Sequence, residues 1–236
     1  MARKTSDVDE FASALEKHAP QFEVNLDERS VAALRDYYSM VNEWNARLHL
    51  VAPCSPEEFA TRHILESLLA IRYLPRGAFV VDIGSGAGLP IIPCLIARPD
   101  LLATLFEASP RKAIFLREAL GSAGAGHRVS VMAQRFEHRS TPNASVITCR
   151  ALDRFTKMFR ELVGWSPPAS TLLLFGGPSL QKQIEEANLK YTTLQVPASD
   201  QRFLFRLPSR ATDKEIPFRH YVDPLKRQGR GQRDEG

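Results

Sequence analysis

An apolar run that ends in an acidic residue and then breaks into alternating glycines leaves few options for the fold around it. Val80-Val81-Asp82-Ile83 reads as a buried strand, Gly84-Ser85-Gly86-Ala87-Gly88 as a turn, and Leu89-Pro90 as the start of a helix. Glycine at every second position lets the backbone approach a ligand closely, and the helix start leaves unpaired N–H groups beside it. The next apolar run, residues 102–106, ends at Glu107. A carboxylate there can accept both hydrogen bonds of a ribose diol. The pair of features implies a nucleoside cofactor.

The rest of the chain is organised around that unit. Strands are expected over 79–83, 102–106, 129–132, 145–149 and 171–175, with helices over 89–97, 110–120, 153–163 and 179–187 between them. Ser109 is the expected cap of the second of these helices and Gly121 its stop. Two last runs, 192–196 and 203–207, flank Pro197-Ala198-Ser199-Asp200-Gln201 as a hairpin would. Repeated strand–helix units predict a mostly parallel sheet covered on both faces. The closing antiparallel hairpin is the addition that marks class I methyltransferases.

Upstream the pattern is helical. Asn25 and Glu28 form a capping-box signal before a run in which Val31, Leu34, Tyr38, Val41, Asn45 and Leu48 share one face. Ser55-Pro56-Glu57-Glu58 starts a further helix carrying Phe59, Arg62, His63, Glu66, Leu69 and Tyr73. The expected organisation is an N-terminal helical extension over 1–76, a core over 77–210 and a basic tail over 211–236. That tail carries Arg219, His220, Lys226, Arg227, Arg230 and Arg233. It reads as a solvated segment or as an arm that contacts phosphates.

Three details decide which nucleoside cofactor. The glycine spacing is G-x-G-x-G, not the dinucleotide G-x-G-x-x-G. Asp82, expected to face the ligand, would repel a pyrophosphate and suits a cationic cofactor without phosphates. Leu89-Pro90 occupies the helix start that would otherwise hold an anion. All three favour S-adenosylmethionine over a nicotinamide dinucleotide, which is the disfavoured alternative.

Composition sets outer limits. The 236 residues are 44% hydrophobic, with short apolar runs, so no membrane span is expected, and the first residues carry no apolar signal core. Cys54, Cys94 and Cys149 are widely spaced, with neither disulfide nor metal-ligand spacing, which fits a reducing cytoplasm and no metal. A net charge of +4 permits nucleic acid as a partner without requiring it.

Asp82-Ile83-Gly84-Ser85-Gly86-Ala87-Gly88-Leu89-Pro90, together with Arg62-His63-Ile64-Leu65-Glu66-Ser67 and Cys149-Arg150-Ala151, resembles the RsmG family, also called GidB. Trp44-Asn45, Arg98-Pro99, Lys112 and Phe115-Leu116-Arg117 also match, so the resemblance spans about residues 38–207. That family methylates N7 of one guanine in bacterial 16S rRNA with S-adenosylmethionine. The resemblance implies that Gly84 and Leu89 contact the cofactor, with Ser85, Gly86 and Gly88 completing the turn. It implies that Phe136 and Glu137 lie beside the adenine and that Arg150 lines the site. Glu107 stands for the family's usual aspartate. The implied partner is 16S rRNA or an assembling small subunit, met by a monomer. The chain departs from the family at His49-Leu50-Val51, usually Asn-Leu-Thr, at Leu174-Phe175-Gly176, usually Leu-Lys-Gly, and at Ala87-Gly88-Leu89-Pro90-Ile91, often Pro-Gly-Leu-Pro-Gly.

Guanine N7 has an in-plane lone pair and no proton, so its methylation needs no general base, only alignment and exclusion of water. Arg150 is the expected positioning group. Arg62 and His63 are candidates for substrate contacts. Their plainer alternatives are a salt bridge from Arg62 to Glu66 and a packed histidine. Arg111, Lys112, Arg117, Arg128, Arg135 and Arg139 would contact phosphates or simply be solvated. Another RNA base, a small molecule, or a silent nucleoside- or RNA-binding module are the alternative readings.

Overall fold

The computed structural model describes residues 2–150 and 156–212. Ala151, the beginning of the helix expected from residue 153, and the basic tail from residue 213 lie outside the described residues. No helix among the described residues is long and apolar enough to cross a membrane.

Seven strands form one sheet: β1 (Phe79–Ile83), β2 (Leu102–Phe106), β3 (Val129–Met132), β4 (Val146–Arg150), β5 (Thr171–Gly176), β6 (Thr192–Gln195) and β7 (Phe203–Leu207). Their spatial order is β3-β2-β1-β4-β5-β7-β6. β1 to β5 are parallel, while β7 runs antiparallel to both β5 and β6. From β1 the chain steps outward to β2 and β3, then returns to place β4 on the other side of β1. That reversal opens a crevice beyond the carboxyl ends of β1 and β4, where parallel α/β sheets bind ligands.

Alternation along each strand supplies two cores. Val80, Ala103, Leu105, Leu173, Phe175 and Leu204 face the N-terminal helices together with α5 (Ile91–Ala97) and α6 (Pro110–Ser122). Val81, Ile83, Phe106, Ile147, Cys149 and Leu174 face α7 (Thr156–Trp165) and α8 (Pro178–Glu186). Burial on both faces is why these strands read as continuous apolar runs.

The N-terminal helices join the first core. α1 (Ala2–His18) stacks Phe11 on Tyr38 of α2 (Glu28–Leu48), ring centroids 4.4 Å apart, and sets its edge against Phe59. The cap of α2 is Asp27, which accepts from the Ser30 N–H at 2.8 Å, and not the expected Asn25. An Asp three residues before a free N–H closes the first turn directly, so the box two residues earlier goes unused. α6 continues through Gly121 and stops at Gly124, φ +65°, where Ala125 N–H bonds Leu120 O and Gly124 N–H bonds Gly121 O. Only a left-handed residue allows that Schellman closure. α5 begins at Ile91, two residues later than expected.

The helix expected from Ser55 is not uniform. Ser55 caps α3 (Pro56–Glu58) through the Glu58 N–H as anticipated. A π-helix, Phe59–Leu65, follows, then α4 (Glu66–Leu68) and a 3-10 turn, Leu69–Tyr73. The change of pitch falls on the Arg-His-Ile-Leu-Glu-Ser segment. π-Turns inside helices are frequent at functional sites because they re-aim side chains.

Candidate active site

The turn after β1 is built from both ends. Gly84 and Ser85 N–H groups donate to the Phe106 carbonyl, and Gly88 N–H to the Ser85 carbonyl at 2.6 Å. Gly84 and Gly88 have φ of +67° and +88°, a region other residues enter only with strain. A Cβ on Gly84 would meet nothing within 4 Å, so the turn is open there. A Cβ on Gly88 would lie 2.3 Å from Ile92 Cδ1, so that glycine is fixed by packing against α5. Leu89 is buried in the first core.

Glu107, at the end of β2, is drawn onto the turn. Its Oε2 accepts from Gly86 N–H and its Oε1 from Ser109 N–H, both at 2.8 Å. Each carboxylate oxygen keeps a second lone pair, so both can still accept from a diol. Asp82 lies beneath the turn, 1% exposed. β1 is an interior strand that pairs Asp82 with Thr148, and the carboxylate is packed under the turn. Thr148 Oγ1 donates to Asp82 Oδ1 at 2.6 Å, while Oδ2 has no partner. Burial pushes its pKa up to about 7. Gln134 Nε2, just past β3, is also buried without a partner. Phe136 packs its ring against Trp165, and Glu137 stands exposed beside it.

This set fits S-adenosylmethionine. The open cradle at Gly84 admits a ligand against backbone. Glu107 offers carboxylate oxygens to a diol, and among the described residues no cationic side chain hydrogen-bonds the turn to draw a pyrophosphate.

On the other side of the crevice stands Arg150, the last residue of β4. Its Nη2 donates to the Arg62 carbonyl at 2.8 Å and lies 3.3 Å from His63 Nδ1, and its Nη1 reaches Ser67 Oγ. Glu66 lies 3.5 Å from it and 2.7 Å from Arg202, just before β7. The sequence had allowed a bridge from Arg62 to Glu66. Arg62 instead pairs with Glu58, because Glu66 is turned inward and taken by the other two arginines. Burial first, then Arg150, Arg62 and Arg202, lower the His63 pKa to about 3, so the ring is neutral. The site thus joins Arg62, His63, Glu66, Ser67 and Arg150, which the motif contained, to Arg202, which lies after a hairpin loop with no local signal.

Two of the candidate phosphate contacts do structural work. Arg117 bonds the Val131 carbonyl, and Arg128 bonds those of Leu95 and Leu101. Arg111, Arg135 and Arg139 are exposed. Two of the family departures are absorbed locally. Asn45 brackets the backbone N–H and C=O of Val51, whatever side chain stands there, and Phe175 is buried in the first core.

A glycine turn at the switch point of a seven-stranded sheet that ends in an antiparallel hairpin defines a class I, S-adenosylmethionine-dependent methyltransferase. Solved structures share the fold: a ribosomal protein L11 methylase from Lactobacillus delbrueckii subsp. bulgaricus has a TM-score of 0.52 at 12% identity, over 63% of this chain and 79% of that one. An O-methyltransferase family protein from Burkholderia thailandensis has a TM-score of 0.50 at 13% identity, over 81% and 63%. The family model described as rRNA small subunit methyltransferase G, GidB, matches residues 30–206. Relatives named ribosomal RNA small subunit methyltransferase G include one from Halorhodospira halophila, 32% identical over 73% of this chain and 81% of its own length. Another, from Xanthomonas axonopodis pv. citri, is 35% identical over 73% and 84%. The chain belongs to the rRNA small subunit methyltransferase G (GidB) family.

Proposed function

We propose that this chain transfers a methyl group from S-adenosylmethionine to N7 of a guanine in 16S rRNA, acting as a monomer in the cytoplasm. Family membership over residues 30–206 is the observation that carries the reading, and the turn held by Glu107 supports its cofactor half. When bound, S-adenosylmethionine supplies a methyl group on a sulfonium. The glycine turn and Glu107 hold the nucleoside end. Arg150 and neutral His63, with the π-helix backbone, form a wall against which the base can be aligned. N7 needs no proton removed, and the neutral imidazole need take none. Glu66, shared by Arg150 and Arg202, neutralises part of their charge beside a base that becomes cationic. N7 lies on the deep-groove edge of A-form RNA, so the target base is an unpaired or exposed one. The exposed Arg111, Arg135 and Arg139 are the phosphate contacts of this reading.

The test is to map 7-methylguanosine in 16S rRNA from cells with and without the gene. Loss of one modified position supports the assignment, and an unchanged map defeats it. Activity of the purified protein on stripped 16S rRNA and on 30S particles separates the two forms of substrate.

A further inference from the structure

Tyr37 lies on α2, fifty residues before Ala87, yet its hydroxyl donates to the Ala87 carbonyl at 2.6 Å. The residue is 2% exposed. Packing does not require that hydroxyl, since phenylalanine would fill nearly the same volume. A buried hydroxyl must find an acceptor, so its presence fixes where the acceptor can lie. Ala87 sits between Gly86 and Gly88, both with positive φ. Glycines on either side leave the intervening peptides several accessible orientations. The N–H of that same peptide, on Gly88, bonds the Ser85 carbonyl, and the phenol adds a second hold on the orientation in which the Ala87 carbonyl points into the protein. On the preceding residue, Gly86 N–H is held by Glu107. The turn is therefore gripped at two adjacent residues, from β2 on one side and from α2 on the other.

We propose that Tyr37 is a positioning residue for the methyl donor: through the Ala87 carbonyl it holds the glycine turn in the form that accepts S-adenosylmethionine. The proposal rests on reading that turn as the donor site.

Calorimetry with S-adenosylmethionine on the wild-type chain, Tyr37→Phe and Val41→Ala tests it. Val41 is fully buried on the same helix and has no polar group. Tyr37→Phe should raise Kd about tenfold, the effect of losing one buried hydrogen bond. KM for the donor should rise with it, while kcat and KM for 16S rRNA stay within about twofold, because only donor binding is affected. Val41→Ala should lower Tm and leave Kd unchanged. An unchanged Kd in Tyr37→Phe overturns the proposal, and so does an equal rise in Val41→Ala, which would make the effect one of stability alone. If Tyr37→Phe does not fold, the native chain labelled with 3-fluorotyrosine decides. Saturating donor should move the Tyr37 fluorine resonance, assigned by replacing the other tyrosines, and leave that of Tyr191. A Tyr37 resonance unmoved at saturation overturns the proposal. A wild-type chain that binds no donor overturns the cofactor reading itself, which no result on Tyr37→Phe alone can do.

Discussion

His63 on the π-helix and Arg150 at the end of β4 meet at 3.3 Å, with the arginine donating to the Nδ1 of the imidazole. An imidazole that accepts from a guanidinium cannot be protonated there, and burial with three nearby arginines lowers its pKa to about 3. The unfolded chain, with a histidine pKa of about 6.5, binds the extra proton first. Between pH 3 and 6.5 the unfolded state therefore holds more protons, so stability falls as pH drops through that window. Urea unfolding of the wild-type chain should show this loss, and His63→Gln should lose less between pH 6.5 and 4.5. Equal losses in the two proteins would show that His63 is not held neutral.

Asp82 behaves in the opposite sense. Its pKa is raised to about 7, so the folded state holds a proton that the unfolded state, with an aspartate pKa of about 3.9, has lost. Stability from this group falls as pH rises through that interval and the penalty is complete above it. Asp82→Asn keeps an acceptor for Thr148 and removes the buried charge. The unliganded variant should gain stability over wild type at pH 8 and none at pH 3.5, measured by denaturant unfolding. A gain that does not change with pH would mean that Asp82 is not titrating in that interval.

Gly84 and Gly88 share positive φ but differ in surroundings, and alanine at each should separate cofactor binding from folding. Gly84→Ala meets open space and bears backbone strain of about 1 kcal/mol, but its methyl enters the cradle. Donor affinity should fall more than about tenfold with a small change in Tm. Gly88→Ala drives a methyl into Ile92 as well, so Tm should fall further, with a cost of about 2–4 kcal/mol. Calorimetry and thermal unfolding on the same preparations compare the two, and a larger Tm loss for Gly84→Ala would contradict this assignment.

Glu66 is a buried carboxylate shared by Arg150 and Arg202. Glu66→Ala leaves two guanidiniums facing each other. Breaking a fully buried pair costs about 3–5 kcal/mol, and Arg202, a third exposed, is screened by water, so about 2–3 kcal/mol is expected. kcat should fall as well, because Arg150 loses one of the groups that orient it. Arg202→Ala alone should cost less of both. Urea unfolding and initial rates check this, and a larger loss for Arg202→Ala than for Glu66→Ala would reverse the assignment of Glu66 as the centre of the cluster.

Much of this architecture follows from local rules. The strand–turn unit at residues 79–88, the acidic residue closing β2, the Ser55 and Ser109 caps and the final hairpin are set by side-chain periodicity, glycine spacing and capping chemistry, all local in sequence. The sequence by itself thus determined the sheet, the turn and the kind of cofactor the turn can take. It did not determine where Asp82 points, because pairing with Thr148 depends on which strand lies beside β1. It placed the end of α6 at Gly121, since only the backbone shows that Gly124 is the left-handed residue. Nor could it announce the π-helix, whose residues meet Arg150 and, on other helices, Phe11 and Tyr38. Tyr37 and Arg202 become part of the site only because the chain folds back across fifty and more residues. Such contacts form where loop closure and core packing bring side chains together, and no local pattern encodes that meeting.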